Sequence, residues 1–161
     1  TMLAELGRSW TQSIDFDGLL TKAVSNLARN GVNVSDEDII KAETYLLQMI
    51  RVELVRIHRF APQIAASVSS QPRSSEFARW QIENGCKAVT TMTGMNLEPE
   101  SDLVKIIISL ADGTRSVDEL QKELLDAVEV TEEQREDFAT NLPRIVDECL
   151  NDLCSAGLLV G

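Results

Sequence analysis

Histidine is almost missing from this chain: His58 is the only one among 161 residues. An imidazole-based metal or general-base site therefore has no second member, and no Cys-x-x-Cys pair replaces it. The cysteines, Cys86, Cys149 and Cys154, are odd in number, and Cys149 and Cys154 lie about 140° apart around a helix axis, so they do not converge on a metal. With no charged-then-apolar leader before Trp10, this cysteine usage reads as a reduced cytoplasmic setting without disulfides. The eight glycines never cluster, which excludes a G-x-G-x-x-G turn and a P-loop. Long apolar runs are absent as well; Leu103–Ala111 is too short and too charged at its edges to cross a bilayer.

Positive charge is scarce in one half only. Residues 1–85 carry nine Lys+Arg against ten Asp+Glu, and residues 86–161 carry six against sixteen, so the net charges are −1 and −10. A surface of that sign repels phosphate backbones, and the second half is a poor nucleic-acid binder. Its acidic run Glu132, Glu133, Glu136, Asp137 lacks the alternating order of a calcium loop and reads as a solvated helix face.

The chain does have apolar content for a core, 43%, and a periodicity that places it. Phe16, Leu19, Leu20, Ala23, Val24 and Leu27 recur at helical spacing up to Asn30-Gly31. Ser35 before Asp36, Glu37 and Asp38 opens a second helix, with Ile39, Ile40, Leu46, Leu47 and Ile50 as its buried face. Val52–Phe60 alternates in part and reads as a strand. Ala61–Ser75 is a connecting loop, and Glu76–Glu83 a short helix packing through Phe77, Trp80 and Ile82. The β-branched stretch 86–93 and Met95–Glu98 form a hairpin across Gly94.

Leu103, Ile106, Ile107 and Leu110 then mark a helix broken at Asp112-Gly113. Ser116-x-x-Glu119 has capping-box spacing and opens another helix carrying Leu120, Leu124 and Leu125. Thr131 caps a last long helix with Phe138, Leu142, Ile145, Cys149, Leu150 and Leu153, in which Pro143 predicts a kink or a fresh start. Leu158-Leu159-Val160 closes the chain as a strand.

The two halves share a plan. Val32-Asn33-Val34-Ser35-Asp36-Glu37 parallels Val128-Glu129-Val130-Thr131-Glu132-Glu133, and Leu54-Val55 parallels Leu159-Val160; duplication and convergence on good capping chemistry both account for this. The expectation is an α+β, mainly α fold of two winged-helix-like units in tandem, each helical with short strands. Residues 1–60 form the first, 61–85 a connecting loop and short helix, and 86–161 the second.

No catalytic or metal residues emerge. Cys86 beside Lys87 has a cationic neighbour but no base, so a cysteine enzyme stays the weakest reading. Arg56, Arg59, Arg73 and Arg79, with Arg51, are the one concentration of cations. Scattered surface charge is the simpler account, and docking on a partner the sharper one.

Gln71-Pro72-Arg73-Ser74-Ser75 through Ala78-Arg79, then Val89-Thr90 and Leu110-Ala111-Asp112-Gly113-Thr114-Arg115, resemble the predicted methyltransferase regulatory domain. That module follows the catalytic Rossmann-like domain in bacterial class I S-adenosylmethionine-dependent methyltransferases, protein lysine methyltransferases included. The likeness is firm over about residues 60–120. Gln71 stands where the pattern has Arg, and Ala111 intervenes between Leu110 and Asp112.

The resemblance implies a non-catalytic regulatory or substrate-protein-recognition region of a transferase, preceded by a catalytic domain that holds S-adenosylmethionine, with no cofactor in this fragment. Implied partners are that catalytic domain and a protein substrate, without a membrane, and a homodimer is compatible with it. The alternative is a winged-helix nucleic-acid-binding or transcription-regulatory module, favoured by topology and opposed by charge.

Overall fold

A short stretch of proline and loop divides the helices into two compact units, Thr1–Pro62 and Gln63–Gly161. The computed structural model describes residues 2–9, 12–128 and 132–161.

Unit 1 holds α1 (Met2–Arg8), α2 (Phe16–Arg29) and α3 (Asp36–Arg51). The Asp15 carboxylate accepts the Gly18 amide at 2.8 Å and starts α2. Ser35 starts α3 through a reciprocal box: its hydroxyl accepts the Asp38 amide, and Asp38 accepts the Ser35 amide at 3.1 Å. An aspartate serves here where glutamate is usual, since both acids reach one turn back. α1 packs on α2, where Leu19 and Ala23 are buried, and the buried carboxylate of Glu5 takes a 2.7 Å bond from Asn26.

Two expectations fail in this unit. The apolar stripe of α3 is not buried: Ile40 and Leu47 remain 60% and 66% exposed, because three helices supply nothing to cover it. Val52–Phe60 is not a strand either. Glu53 takes a left-handed φ of 61°, and the Glu53 and Leu54 amides turn back to the Ile50 and Met49 carbonyls. That two-bond closure ends the helix with a non-glycine residue where glycine normally sits, so composition gives no warning. The described residues of unit 1 therefore lack the strand of a winged-helix unit, and Leu54-Val55 has no structural counterpart in Leu159-Val160.

Unit 2 holds α4 (Glu76–Glu83), β1 (Val89–Thr90), β2 (Asn96–Leu97), α5 (Asp102–Leu110), α6 (Val117–Ala127) and α7 (Glu132–Ser155). β1 and β2 pair antiparallel with Val89 opposite Leu97 and Thr90 opposite Asn96. The expected hairpin is present, much shorter than the β-branched run. α5, α6 and α7 surround one core in which Ile107, Ile108, Leu120, Leu124, Val146, Leu150, Leu158 and Leu159 are fully buried.

α7 runs unbroken through Pro143, with no fresh start. Leu142, Val146, Leu150 and Leu153 form one stripe on both sides of the proline, and their shared burial outweighs the lost backbone bond. The expected Thr131 cap, and with it residues 129–131 of the second copy of the repeated hexapeptide, lies outside the described residues.

The closing segment forms isolated bridges in place of a full strand. Leu158–Gly161 runs between two stretches of the presumed loop. Ala65 donates to Leu159 and Gly161 to Gln63 on one side, while Ser75 donates to Leu158 and Val160 to Arg73 on the other. Isolated bridges Ile64–Val160 and Ser74–Leu159 mark the two seams. Each stretch is too short to show period-two alternation, which is why the sequence reads as loop.

On α4 the packing residue is Ala78, fully buried, whereas Phe77 and Trp80 are each 54% exposed. Two aromatics expected in the core lie on the surface.

Candidate functional site

The residues that carry the sequence resemblance come together at one place in unit 2. Pro72 is fully buried, and its carbonyl accepts the Gly113 amide at 3.1 Å. Arg73 bridges antiparallel to Asp112. Ser74 is fully buried; its amide donates to the Ala111 carbonyl at 2.7 Å, and its hydroxyl to Ile108 O at 2.6 Å with Ala111 O at 3.0 Å. The orphan carbonyls at the end of α5 are thus satisfied by one side chain from α4's approach.

Ser75 then caps α4 through the Ala78 amide at 3.0 Å. Arg79 reaches back and donates to the Ser74 carbonyl, with Ala111 O at 3.4 Å. Gln81 clasps β1, accepting the Thr90 amide at 2.7 Å and donating to its hydroxyl at 3.1 Å.

Gly113 closes the arrangement. Its φ is 86°, which favours glycine, and a Cβ there would crowd the Arg73 side chain at 3.0–3.2 Å. After it, Asp112 accepts the Thr114 hydroxyl at 2.6 Å and amide at 2.8 Å. Arg115 spans Asp112 and Glu123, the latter at 2.8 Å, and Ser116 with Glu119 forms the capping box of α6.

The Thr114 bonds, followed by the Arg115 guanidinium, draw the Asp112 pKa down from 3.8 to about 2. A folded pKa below the unfolded one means that this carboxylate stabilises unit 2 above about pH 4 and loses that contribution as pH falls toward 2. Thr114→Ala should move the Asp112 titration, followed by carboxyl carbon NMR, part of the way back toward 3.8. An unchanged midpoint would show that the hydroxyl is not the cause.

Of the four candidate docking cations, two fall in each unit. Arg56 and Arg59 are exposed beyond α3, and Arg59 lies over the Phe60 ring at 5.5 Å. Arg73 is exposed, and Arg79 is half-buried with its guanidinium turned inward as described. The structure brings Arg73 and Arg79 to the same junction. His58 is exposed in irregular backbone.

Burial pushes the Cys149 thiol up to about 11, with Asp152 adding to the shift, and raises Cys154, whose Sγ donates to Ala65 O at 3.3 Å. Neither is a ready thiolate. Among the described residues no three His, Cys, Asp or Glu side chains gather as a metal site, and no helix is long and apolar enough to cross a membrane. Unit 1 contributes an apolar groove of about 790 Å³ lined by Leu20, Val24, Leu27, Ile39 and Met49 among others. Sequence reasoning missed it, having placed Leu20, Val24, Leu27 and Ile39 on packed helix faces and left Met49 unassigned.

Helices stacked on a small hairpin, with a closing segment paired beneath, make unit 2 a winged-helix domain. The model of the family described as PKMT, C-terminal winged helix domain, matches residues 70–158, just over half of the chain. The chain belongs to that family. Among solved structures it is similar to PKMT2 from Rickettsia typhi, at 19% identity and a TM-score of 0.72, covering 99% of this chain and 33% of that one. The same protein in complex with AdoHcy gives 17% identity and a TM-score of 0.76 at the same coverage. At such identity the likeness is one of fold, and the chain spans about a third of that protein's length. No curated protein matches by sequence.

Proposed function

We propose that this chain is a non-catalytic region of a longer, cytoplasmic bacterial methyltransferase of the PKMT kind, and that it acts in recognition of a protein. The observation that carries the reading is the junction just described. Pro72, Ser74, Arg79, Ala111 and Gly113 direct their polar groups to one another and to α5, and Arg115 pairs with Asp112 and Glu123, so the family pattern is accounted for by folding alone.

In this reading S-adenosylmethionine is held elsewhere in the longer protein, where it supplies the methyl group. The described strands support that placement. A doubly wound cofactor cradle needs a parallel strand, a glycine-rich turn and a helix, and β1–β2 is an antiparallel pair joined by residues 91–95, in which Gly94 is the one glycine. That hairpin is not such a cradle. Arg56, Arg59 and Arg73 are exposed on the surface, and the net charge of the acidic half disfavours the nucleic-acid alternative.

Isothermal titration of the chain with S-adenosylmethionine is expected to give only dilution heats. Saturable binding would overturn the reading.

A further inference from the structure

α4 presents a face to solvent that the fold does not use. At 100° per residue, Glu76, Trp80 and Glu83 fall within about 60° of one another, with Phe77 alongside, while Ala78 and Ile82 point to the opposite side. Ala78 is fully buried and Ile82 packs against the core, so the orientation of the helix is fixed. The Phe77 and Trp80 rings stack at 5.9 Å between centroids and 8° between planes, and each residue is 54% exposed.

Glu76 and Glu83 flank this pair, both exposed, and neither is in an ion pair among the described residues. The one cation on the helix, Arg79, is held inward by the Ser74 carbonyl. Stacked aromatics between free carboxylates suit a cationic side chain: ring faces attract it by their quadrupole, and the acids complete the charge.

Unit 2 as a whole reinforces the selection. Residues 63–161 carry eight Lys+Arg against eighteen Asp+Glu, a net of −10. Such a field steers basic chains toward the surface and repels nucleic acid and anionic lipid. We infer that the Glu76–Phe77–Trp80–Glu83 face of α4 docks a lysine- or arginine-bearing segment of a protein partner. This rests on the protein-recognition reading above and adds to it the surface and the chemistry of what it holds.

The test is an NMR titration of the labelled chain with an octapeptide of alternating alanine and lysine, following the Trp80 indole N–H and the α4 amides. A saturable shift at Trp80 is expected, with binding weakened about fivefold by Trp80→Ala and similarly by Glu76→Gln with Glu83→Gln. The glutamine pair removes no buried group, so it keeps the fold even if the tryptophan variant does not. Asp147→Asn with Asp152→Asn on α7 removes the same charge at a distance from α4 and should change affinity less than about twofold.

Equal losses from the two double variants would show diffuse attraction and overturn the inference. So would an unmoved Trp80 resonance. The cofactor titration reads the non-catalytic assignment independently, so a silent α4 with no cofactor binding sinks this inference alone.

Discussion

Replacing Leu150 by alanine is expected to cost unit 2 about 2–5 kcal/mol, measured by urea denaturation. Leu150 is fully buried in the stripe that carries α7 across Pro143, and it belongs to the cluster that includes Ile107, Ile108 and Leu124. The lost side chain leaves a cavity against α5 and α6, whose own buried residues Ile107, Ile108 and Leu124 hinder its collapse. Leu47→Ala on α3 is the contrast. That side chain is 66% exposed, and its removal should stay within about 0.5 kcal/mol. A large loss at Leu47 with little at Leu150 would reverse the assignment of core and surface.

Ser74→Ala should cost about 1–3 kcal/mol, more than a surface hydroxyl warrants. The Ile108 carbonyl lies in the last turn of α5. Its helical donor, the Asp112 amide, is turned to Leu110 O instead, at 2.8 Å. The Ser74 hydroxyl fills that vacancy at 2.6 Å inside a fully buried site. Alanine leaves the carbonyl without a partner and without access to water. The neighbouring Ser75→Ala removes a single N-cap bond, for about 1 kcal/mol. The expected order is therefore Ser74 above Ser75 in the same denaturation series, and the reverse order would place the weight on capping.

Helices were legible wherever the signal is local. The capping residues Ser35 and Ser116, the breaks at Asn30-Gly31 and Asp112-Gly113, and the stripes of α5 to α7 all lie within a few residues of the structure they specify. What failed depends on distant partners. Burial on α3 and α4 was inferred from apolar spacing, yet spacing only offers a face and says nothing of whether another element covers it.

Val52–Phe60 alternated in part, but Glu53 in left-handed conformation redirects the chain before pairing can begin. The seams at Ile64–Ala65 and Arg73–Ser75 were hidden because two or three residues are too few for a period to show.

The site has the same division. The motif Leu110–Leu120 was read as a turn between two helices, and it is one. Its partner across the fold, Pro72 to Arg79, was recognised as part of the same resemblance without any sign that the two touch. Their contact explains why both stretches have the residues they have: a small buried donor at Ser74, a long donor at Arg79, and no Cβ at Gly113.

This junction is a structural clamp of unit 2. Native-state hydrogen exchange at the Ser74, Gly113 and Val160 amides tests it most directly, since each donates across the junction, to Ala111 O, Pro72 O and Arg73 O respectively. The predicted result is exchange only through global unfolding of the unit, with protection equal to that of the Leu124 and Leu150 amides in the core helices. Exchange of all three at the rate of an exposed loop amide, while the helices remain protected, would contradict it.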